Sequence, residues 1–397
     1  MGQGGRRVLL VALGTRGDVE PFVRLGWRLR REGYAVTLAV LADGAARVRE
    51  AGLEPVVVGP ASAQTMWSGS AFLRAAAHLN PGLMWLQMRG ALQAAAPTLA
   101  AHLAPLLRRA DAVVVGLAAA GLEPVVRTAG IPARLVLLAP VLPYPGGTAT
   151  WSRSPWDRLP HPVEAARQRL LWRMTTALSR PLARLVHGLS HRGEPLLPPA
   201  RPLLATSAVL DPRPAPHVVP TGWWADPGPV RPLPVAVDRW FDDHAGAVLL
   251  ALGSLPTTSA SRQVDRLAAV ARSLGRPAVV QVSGAVPRRE PGLLVLGDVD
   301  HRALLPRLAA AMHHGGSGTT HALAAAGVPQ VVVPHLGDQA HYARAVHRAG
   351  LGPAPLPPLA ATTRRLSERL QAGLDLGRQT PAVRQAATRM QREDGLT

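Results

Sequence analysis

The sequence has no cysteine, no lysine, one isoleucine (Ile131), one asparagine (Asn80) and few aromatic side chains, 4% of its 397 residues. Without cysteine there are no disulfides, thiolate metal sites or cysteine nucleophile, which fits a reducing compartment. Without lysine there is no P-loop, whose chemistry needs that side chain on the phosphates. Scarce aromatics leave little for the stacking platforms of single-strand nucleic-acid binders, so no nucleic-acid partner is expected. The longest stretch of apolar or glycine residues, Ala112 to Leu122, falls far short of the ~20 residues of a membrane helix. Val8–Leu13 runs straight into Arg16 and Asp18, so it reads as a first strand rather than an export signal, and Arg6 breaks the myristoylation pattern.

Hydrophobic residues make up 47% and charged residues 17% of the chain, enough apolar mass for real cores, so disorder of the whole chain is excluded. The length suggests two domains. Net charge is +19, carried entirely by arginine. Beside the scarcity of Ile and Asn, this reads as coding bias in a GC-rich genome. A basic balance still favours anionic partners such as nucleotides, phosphates or a membrane surface.

Apolar runs at Val8–Leu13, Tyr34–Val40, Val56–Val58, Ala112–Gly116 and Leu135–Ala139 predict strands. They alternate with helical patterns at Glu20–Arg31, Gly44–Ala51 and Glu123–Ala129, the rhythm of a parallel α/β sheet. The rhythm restarts at Val248–Ala251, Ala278–Val282, Leu293–Leu296, Ala311–His313 and Gln330–Pro334. Between the halves, residues 211–236 hold eight prolines from Pro212 to Pro234 and read as a stiff linker. The expected domains are therefore 1–210 and 237–397, with a cleft between them. Residues 65–109 and 160–192 read as helical insertions. Leu170 to Leu178, mixed with arginines, suits either a membrane-surface helix or a helix packed over a pocket.

The strongest motif is His313-His314-Gly315-Gly316-Ser317-Gly318-Thr319-Thr320, between a predicted strand and a predicted helix. Glycines let backbone approach a ligand, and helix N–H groups with hydroxyls make an anion site. A helix-capping turn is the plainer alternative. His314 can add a hydrogen-bond donor or a positive charge. Near the N-terminus, Gly14-Thr15-Arg16-Gly17-Asp18-Val19-Glu20-Pro21 is not a dinucleotide fingerprint. Asp298-Val299-Asp300 has too few ligands to argue for a metal. His187 and His191 have helical zinc spacing without a third ligand.

Together the Gly14–Pro21 loop and the block from His313 through Ala326-Gly327-Val328-Pro329-Gln330 to Gly337-Asp338-Gln339 resemble the GT-B glycosyltransferases. The likeness is to bacterial natural-product (vancomycin-type) and sterol enzymes. It spans both halves in the right order and is weak over residues 65–235. It implies two Rossmann-like parallel-sheet domains facing each other across a cleft, with acceptor bound by the first and nucleotide-sugar by the second. It also implies an inverting, metal-independent transfer to a hydroxyl of a lipophilic acceptor, with a UDP- or dTDP-linked sugar as co-substrate and no cofactor. By position, His314, Gly315, Gly316, Ser317, Gly318 and Thr319 would hold the diphosphate, joined by Gly253 and Ser254. Asp338 and Gln339 would hold sugar hydroxyls, and Val299 backbone atoms the base. Asp18 would be the general base on the Thr15-Arg16-Gly17 loop, with His78 and His161 next in line; its plainer role is an N-cap of the Glu20–Arg31 helix. Trp67, Leu73, Met84, Trp85 and Met88 would line the acceptor pocket. The chain departs from the pattern at Asp298, where many relatives have an aromatic residue, at His301, where a glutamine is frequent, and at Ala322, where plant relatives have glutamate. An enzyme of the cytoplasm or of its membrane face is the resulting expectation. Its rivals are a nucleotide-sugar epimerase of the same architecture and a non-catalytic nucleotide-sugar-binding or partner protein.

Overall fold

The computed structural model describes residues 5–59, 81–140, 200–214, 218–226, 228–251, 260–282, 285–297, 299–335 and 338–396, with residues 163, 166, 170, 173, 177 and 180–187 besides. The chain forms two compact units: Met1–Thr206 with Arg213–Pro227 and Asp394–Thr397, and Ser207–Pro212 with Gly228–Glu393.

In the first unit, β1 (Arg7–Ala12), β2 (Ala35–Val40), β3 (Glu54–Val57), β4 (Ala112–Val115), β5 (Ala133–Leu137), β6 (Leu203–Leu204) and β7 (Val219–Pro220) build a seven-stranded sheet. Its order is β3-β2-β1-β4-β5-β6-β7, parallel throughout. The unit's helices are α1 (Arg16–Arg31), α2 (Ala45–Glu50), α3 (Pro81–Arg109), α4 (Leu122–Thr128) and α5 (Arg180–His187). Strands buried on both faces read as unbroken apolar runs. Along β1, Leu9 and Val11 face one core, shared with Leu92, Leu99 and Leu103 of α3. Val8, Leu10 and Ala12 face the other, shared with Val19, Phe22 and Val23 of α1.

In the second unit, β8 (Val248–Ala251), β9 (Ala278–Gln281), β10 (Arg288–Glu290), β11 (Leu293–Val295), β12 (Ala310–His313) and β13 (Gln330–Val332) run in the order β10-β11-β9-β8-β12-β13. All pairs are parallel except β10 with β11. The antiparallel edge strand Arg-Arg-Glu escaped the apolar-run criterion because its burial pattern is mostly exposed. Charge on an edge strand also discourages pairing with other chains. The helices are α6 (Val235–Asp243), α7 (Ala260–Arg272), α8 (His301–Leu304), α9 (Ser317–Ala325), α10 (Gln339–Arg348), α11 (Thr363–Leu376) and α12 (Pro381–Gln391).

The chain also departs from the sequence reading in where α1 begins and in how the proline-rich stretch is divided. Helix α1 begins at Arg16 rather than Glu20, with Thr15 as its N-cap and Pro21 inside it. The proline-rich stretch is shared out: Arg213–Pro227 belongs to the first unit and supplies β7, while α6 already starts at Val235 in the second.

Each sheet has one place where chain order reverses. In the first, the chain leaves β1 on the β2 side and returns on its other side with β4; in the second, it leaves β8 toward β9 and returns with β12. Ligands of open parallel sheets bind outside the carboxyl ends of the strands at such reversals. The segments following β1 and β12 are therefore where function is expected.

Candidate functional site

Two clusters stand at these reversals, one in each unit. In the first unit the segment after β1 is Leu13-Gly14-Thr15-Arg16-Gly17-Asp18. Asp18 is the third residue of α1 and reaches back to the N-cap. Its Oδ2 accepts hydrogen bonds from Thr15 N (2.8 Å) and Thr15 Oγ1 (3.1 Å), the reciprocal arrangement of a capping box. Asp18 is thus not the N-cap itself, which corrects the plainer reading; the T-x-x-D spacing carried that signal. The carboxyl lies so close to Gly14 that a Cβ there would stand 2.3 Å from Oδ2. Any side chain at position 14 evicts the carboxylate.

Asp18 remains solvent-accessible, yet surrounding protein desolvates it and pushes its carboxyl above the ordinary 3.8, with the Thr15 bonds pulling it back. The nearby charge of Arg16 acts on Glu20. Glu20 is itself gripped by Arg47 through two contacts of 2.7 and 2.8 Å, which ties α1 to α2. Thr15, Arg16 and Gly17 are exposed around the carboxylate. An accessible carboxylate of raised pKa at a sheet reversal suits a general base.

In the second unit, β12 ends in His313 and the loop turns into α9. The paired histidines do different things. His313 is fully buried; its Nδ1 accepts from Gly315 N (3.2 Å) and its Nε2 lies 3.0 Å from Gln330 Oε1. Since Nδ1 accepts, Nε2 carries the proton and donates to the glutamine. Gln330 then donates to the carbonyl of Thr320 (3.2 Å). His313 is a structural pin, held neutral by burial with a pKa down to about 3. His314 is half-buried in the loop. Burial lowers its pKa too, with the Ala251 backbone pulling the other way, and its Nδ1 makes no hydrogen bond among the described residues. Burial thus favours the neutral imidazole at His314.

Glycine is required here for distinct reasons. Gly315 has φ +90°, and a Cβ on it would sit 2.7 Å from Val332 Cγ1 and 3.1 Å from Gln339 O. Gly316, the N-cap of α9, lies under the His314 ring, whose Nε2 would be 2.5 Å from an added Cβ. Gly318 has nothing within 4 Å of such a Cβ. We expect Gly315→Ala to cost about 2 kcal/mol through the positive φ and the clash. Gly318→Ala gains up to about 1 kcal/mol of helix propensity but sets a methyl on the first turn. Thermal melts paired with thymidine diphosphate titration check this: the first change should lower both stability and affinity, the second affinity alone.

The first intrahelical bond of α9 is Thr320 N to Gly316 O (3.0 Å), so the amides of its first turn precede the ladder. Ser317 Oγ donates to Tyr342 Oη (3.1 Å) on α10, and Thr320 Oγ1 to Gly316 O (2.8 Å). The Ser317 hydroxyl is thereby engaged with protein, and Thr319 is the more open of the two hydroxyls named from sequence. Asp338 sits at the N-cap of α10 without a side-chain capping bond, and Gln339 Oε1 accepts from His335 N (2.7 Å). Because Gly315 packs on Gln339, the structure brings His314–Thr319 and Asp338–Gln339 together. Val299 is half-buried and packs against the core cluster that includes Leu249, Val279, Leu294 and Ala311.

Asp300 is used structurally. It caps α8, accepts from Arg231 N and Arg302 N (2.9 Å each) and pairs with the Arg302 guanidinium at 2.7 Å, which holds its carboxyl down to about 2. Among the described residues no cluster of three or more His, Cys, Asp or Glu could hold a metal. Gly253, Ser254, Trp67, Leu73, His78, His161, His191 and Asp298 lie outside the described residues, as do the side chains of Met84, Trp85, Met88 and His187.

Two buried histidines set a pH dependence. His313 and His341 are depressed from 6.5 to about 3 by burial, His341 also by Arg348 and Arg344. Their contribution is present above pH 6.5 and is lost as pH falls from there toward 3, because only the unfolded chain takes up protons. Between pH 7 and 5 this amounts to about 2 kcal/mol per histidine. The raised carboxyls of Glu123 and Asp211 act in the opposite sense. Urea midpoints should fall clearly from pH 7 to pH 5; equal midpoints would show that these imidazoles titrate alike in both states.

Comparison with known proteins identifies the family. The family described as erythromycin biosynthesis protein CIII-like, C-terminal domain, matches residues 285–396. The chain is 31% identical over 379 residues to glycosyltransferase GtfE of Amycolatopsis orientalis, covering 88% of this chain and 85% of that one. Identity to the vancomycin aglycone glucosyltransferase of the same organism is also 31% over 379 residues, with 88% and 87% covered. Among solved structures, the glycosyltransferase SnogD from Streptomyces nogalater has a TM-score of 0.65 at 20% identity, covering 98% of this chain and 96% of that one. The Streptomyces sp. SF2575 glycosyltransferase SsfS6, complexed with thymidine diphosphate, has a TM-score of 0.64 at 19% identity, with 98% of each covered.

Proposed function

The chain belongs to the GT-B glycosyltransferases of the vancomycin type, and from that premise we propose that it moves a sugar, with inversion, from a nucleoside-diphosphate sugar to a hydroxyl of a lipophilic small molecule. The observation that carries this reading is the pair of clusters at the two sheet reversals. One offers an accessible carboxylate of raised pKa. The other offers a glycine turn, helix amides and a neutral histidine suited to a diphosphate.

In the proposed step Asp18 takes the proton of the acceptor hydroxyl as that oxygen attacks the anomeric carbon from the face opposite the leaving group. The bond from the anomeric carbon to the diphosphate oxygen breaks in the same step, which inverts the configuration. Negative charge growing on the diphosphate is met by the first-turn amides of α9 and by His314. Asp338 and Gln339, next to the turn, suit the hydroxyls of the transferred sugar. UDP- and dTDP-linked donors both fit the scheme. The scheme draws on no metal, and Asp300 is already paired with Arg302. Among the described residues no helix is long and apolar enough to cross a membrane. Leu170, 57% exposed, and the exposed Arg173 and Arg180 support peripheral contact with an anionic membrane surface in the cytoplasm.

A turnover assay with UDP- and dTDP-sugars, a panel of aglycones and sterols, and excess EDTA tests the proposal. We expect glycosylated product at the same rate with and without chelator. Loss of turnover that Mg²⁺ restores would overturn metal independence. Epimerised donor without acceptor would point to epimerase chemistry instead.

A further inference from the structure

Behind the diphosphate turn lies a buried side chain that the reaction scheme leaves without a role. His321 is fully buried one helical turn after Ser317. Its Nδ1 lies 2.7 Å from Ser317 O, and its Nε2 accepts from the backbone N–H of Ser207 (3.1 Å). A carbonyl can only accept and an amide N–H can only donate, so this imidazole is neutral with its proton on Nδ1. Ser207 is held in turn: its hydroxyl donates to Glu393 Oε1 (2.7 Å) and accepts from Val209 N (3.1 Å). The His321 ring also meets Tyr342 edge-on, with centroids 5.3 Å apart, and Tyr342 is the partner of the Ser317 hydroxyl. The first residue of α9 is therefore fastened twice, through its carbonyl by His321 and through its hydroxyl by Tyr342.

We propose that His321 is a positioning residue for donor binding: it bridges the first turn of α9 to the 207–212 segment and so holds the turn's amides in the geometry a diphosphate needs. The inference rests on the reading of that turn as the diphosphate site. Preorganised donors are worth more than mobile ones because no ordering remains to be done when the ligand arrives. A loosened turn weakens the grip on donor and nucleoside diphosphate. It leaves Asp18, in the other unit, and the proton transfer untouched.

The test uses the full-length protein with thymidine diphosphate and UDP as titration probes, and steady-state kinetics on any donor–acceptor pair that turns over. His321→Ala should raise the donor KM and the nucleoside diphosphate Kd by about tenfold, the upper range for losing one hydrogen bond's net contribution. Its kcat falls as well, because the same amides meet the charge growing on the diphosphate, while the acid limb of kcat/KM set by Asp18 stays in place. His321→Asn keeps an N–H donor near Ser317 O and most of the ring's volume, so it should recover part of the affinity. Thermal melts identify folded variants, and Asn stands in if Ala does not fold. Folded variants with wild-type KM and Kd, or a loss confined to kcat, would overturn the positioning role. A wild-type protein that binds neither probe would overturn the diphosphate reading beneath it.

Discussion

Replacing Asp18 by Asn should lower kcat by about 10²–10⁴, the usual worth of a general base, while leaving the protein folded. The side-chain oxygen of Asn still accepts from Thr15 N, so the reach-back to the N-cap survives. What goes is the proton acceptor and the N-terminal carboxylate of α1, worth about 0.3–1 kcal/mol against the helix dipole. Asp18→Ala should lose the rate and, with both Thr15 bonds gone, a further 0.5–2 kcal/mol or so. The wild-type pH profile gives an independent check. The base works ionised, so kcat/KM falls as pH drops through the Asp18 pKa, which desolvation sets above 3.8. Near wild-type kcat for the Asn variant on a true acceptor would move the base elsewhere, with His78 and His161 next to try.

His314→Ala has the second largest expected effect. Loss of one donor aimed at developing charge lowers the rate by about 10²–10³. Burial keeps the imidazole neutral, so its contribution is a hydrogen bond rather than a full charge. Its effect on nucleoside diphosphate affinity should then depend only modestly on salt. Calorimetric titration at low and high salt, with single-turnover rates, separates the two. Unchanged affinity and turnover would dismiss His314; a strong salt dependence that vanishes with the mutation would make it a cation after all.

Much of this was legible in the chain because parallel strands buried on both faces announce themselves as apolar runs. Val248–Ala251 was read with the same ends that the structure gives. Short and polar strands were not legible: β6 and β7 have two residues each, and β10 is Arg-Arg-Glu. The apolar face from Phe22 to Leu29 marks α1 only from Glu20, whereas the Thr15–Asp18 capping box starts it four residues upstream, at Arg16. Within the site, the glycine turn stood out by composition. The buried partners did not. His321, Tyr342 and Ser207 matter through contacts spanning up to 114 positions, and no local pattern marks them. The pair His313-His314 shows the same limit: adjacent residues of one type, one pinned in the core and the other half-buried in the turn.

The way the chain is shared between the units bears on any exchange of halves between related enzymes. A junction placed at the proline-rich stretch looks natural from composition. It would carry β8 to β13 intact and leave behind Ser207–Pro212, which packs as part of that same body. The recipient's own 207–212 equivalent would then have to present an amide to His321 and a hydroxyl to Glu393. Where it does not, a buried ring nitrogen and a carboxylate lose their hydrogen bonds, and the first turn of α9 slackens although every residue of the His314 loop is present. Hybrids made that way would fold around a sound sheet and still bind donor poorly. Grafts that bring 207–212 along with 228–393 escape this penalty.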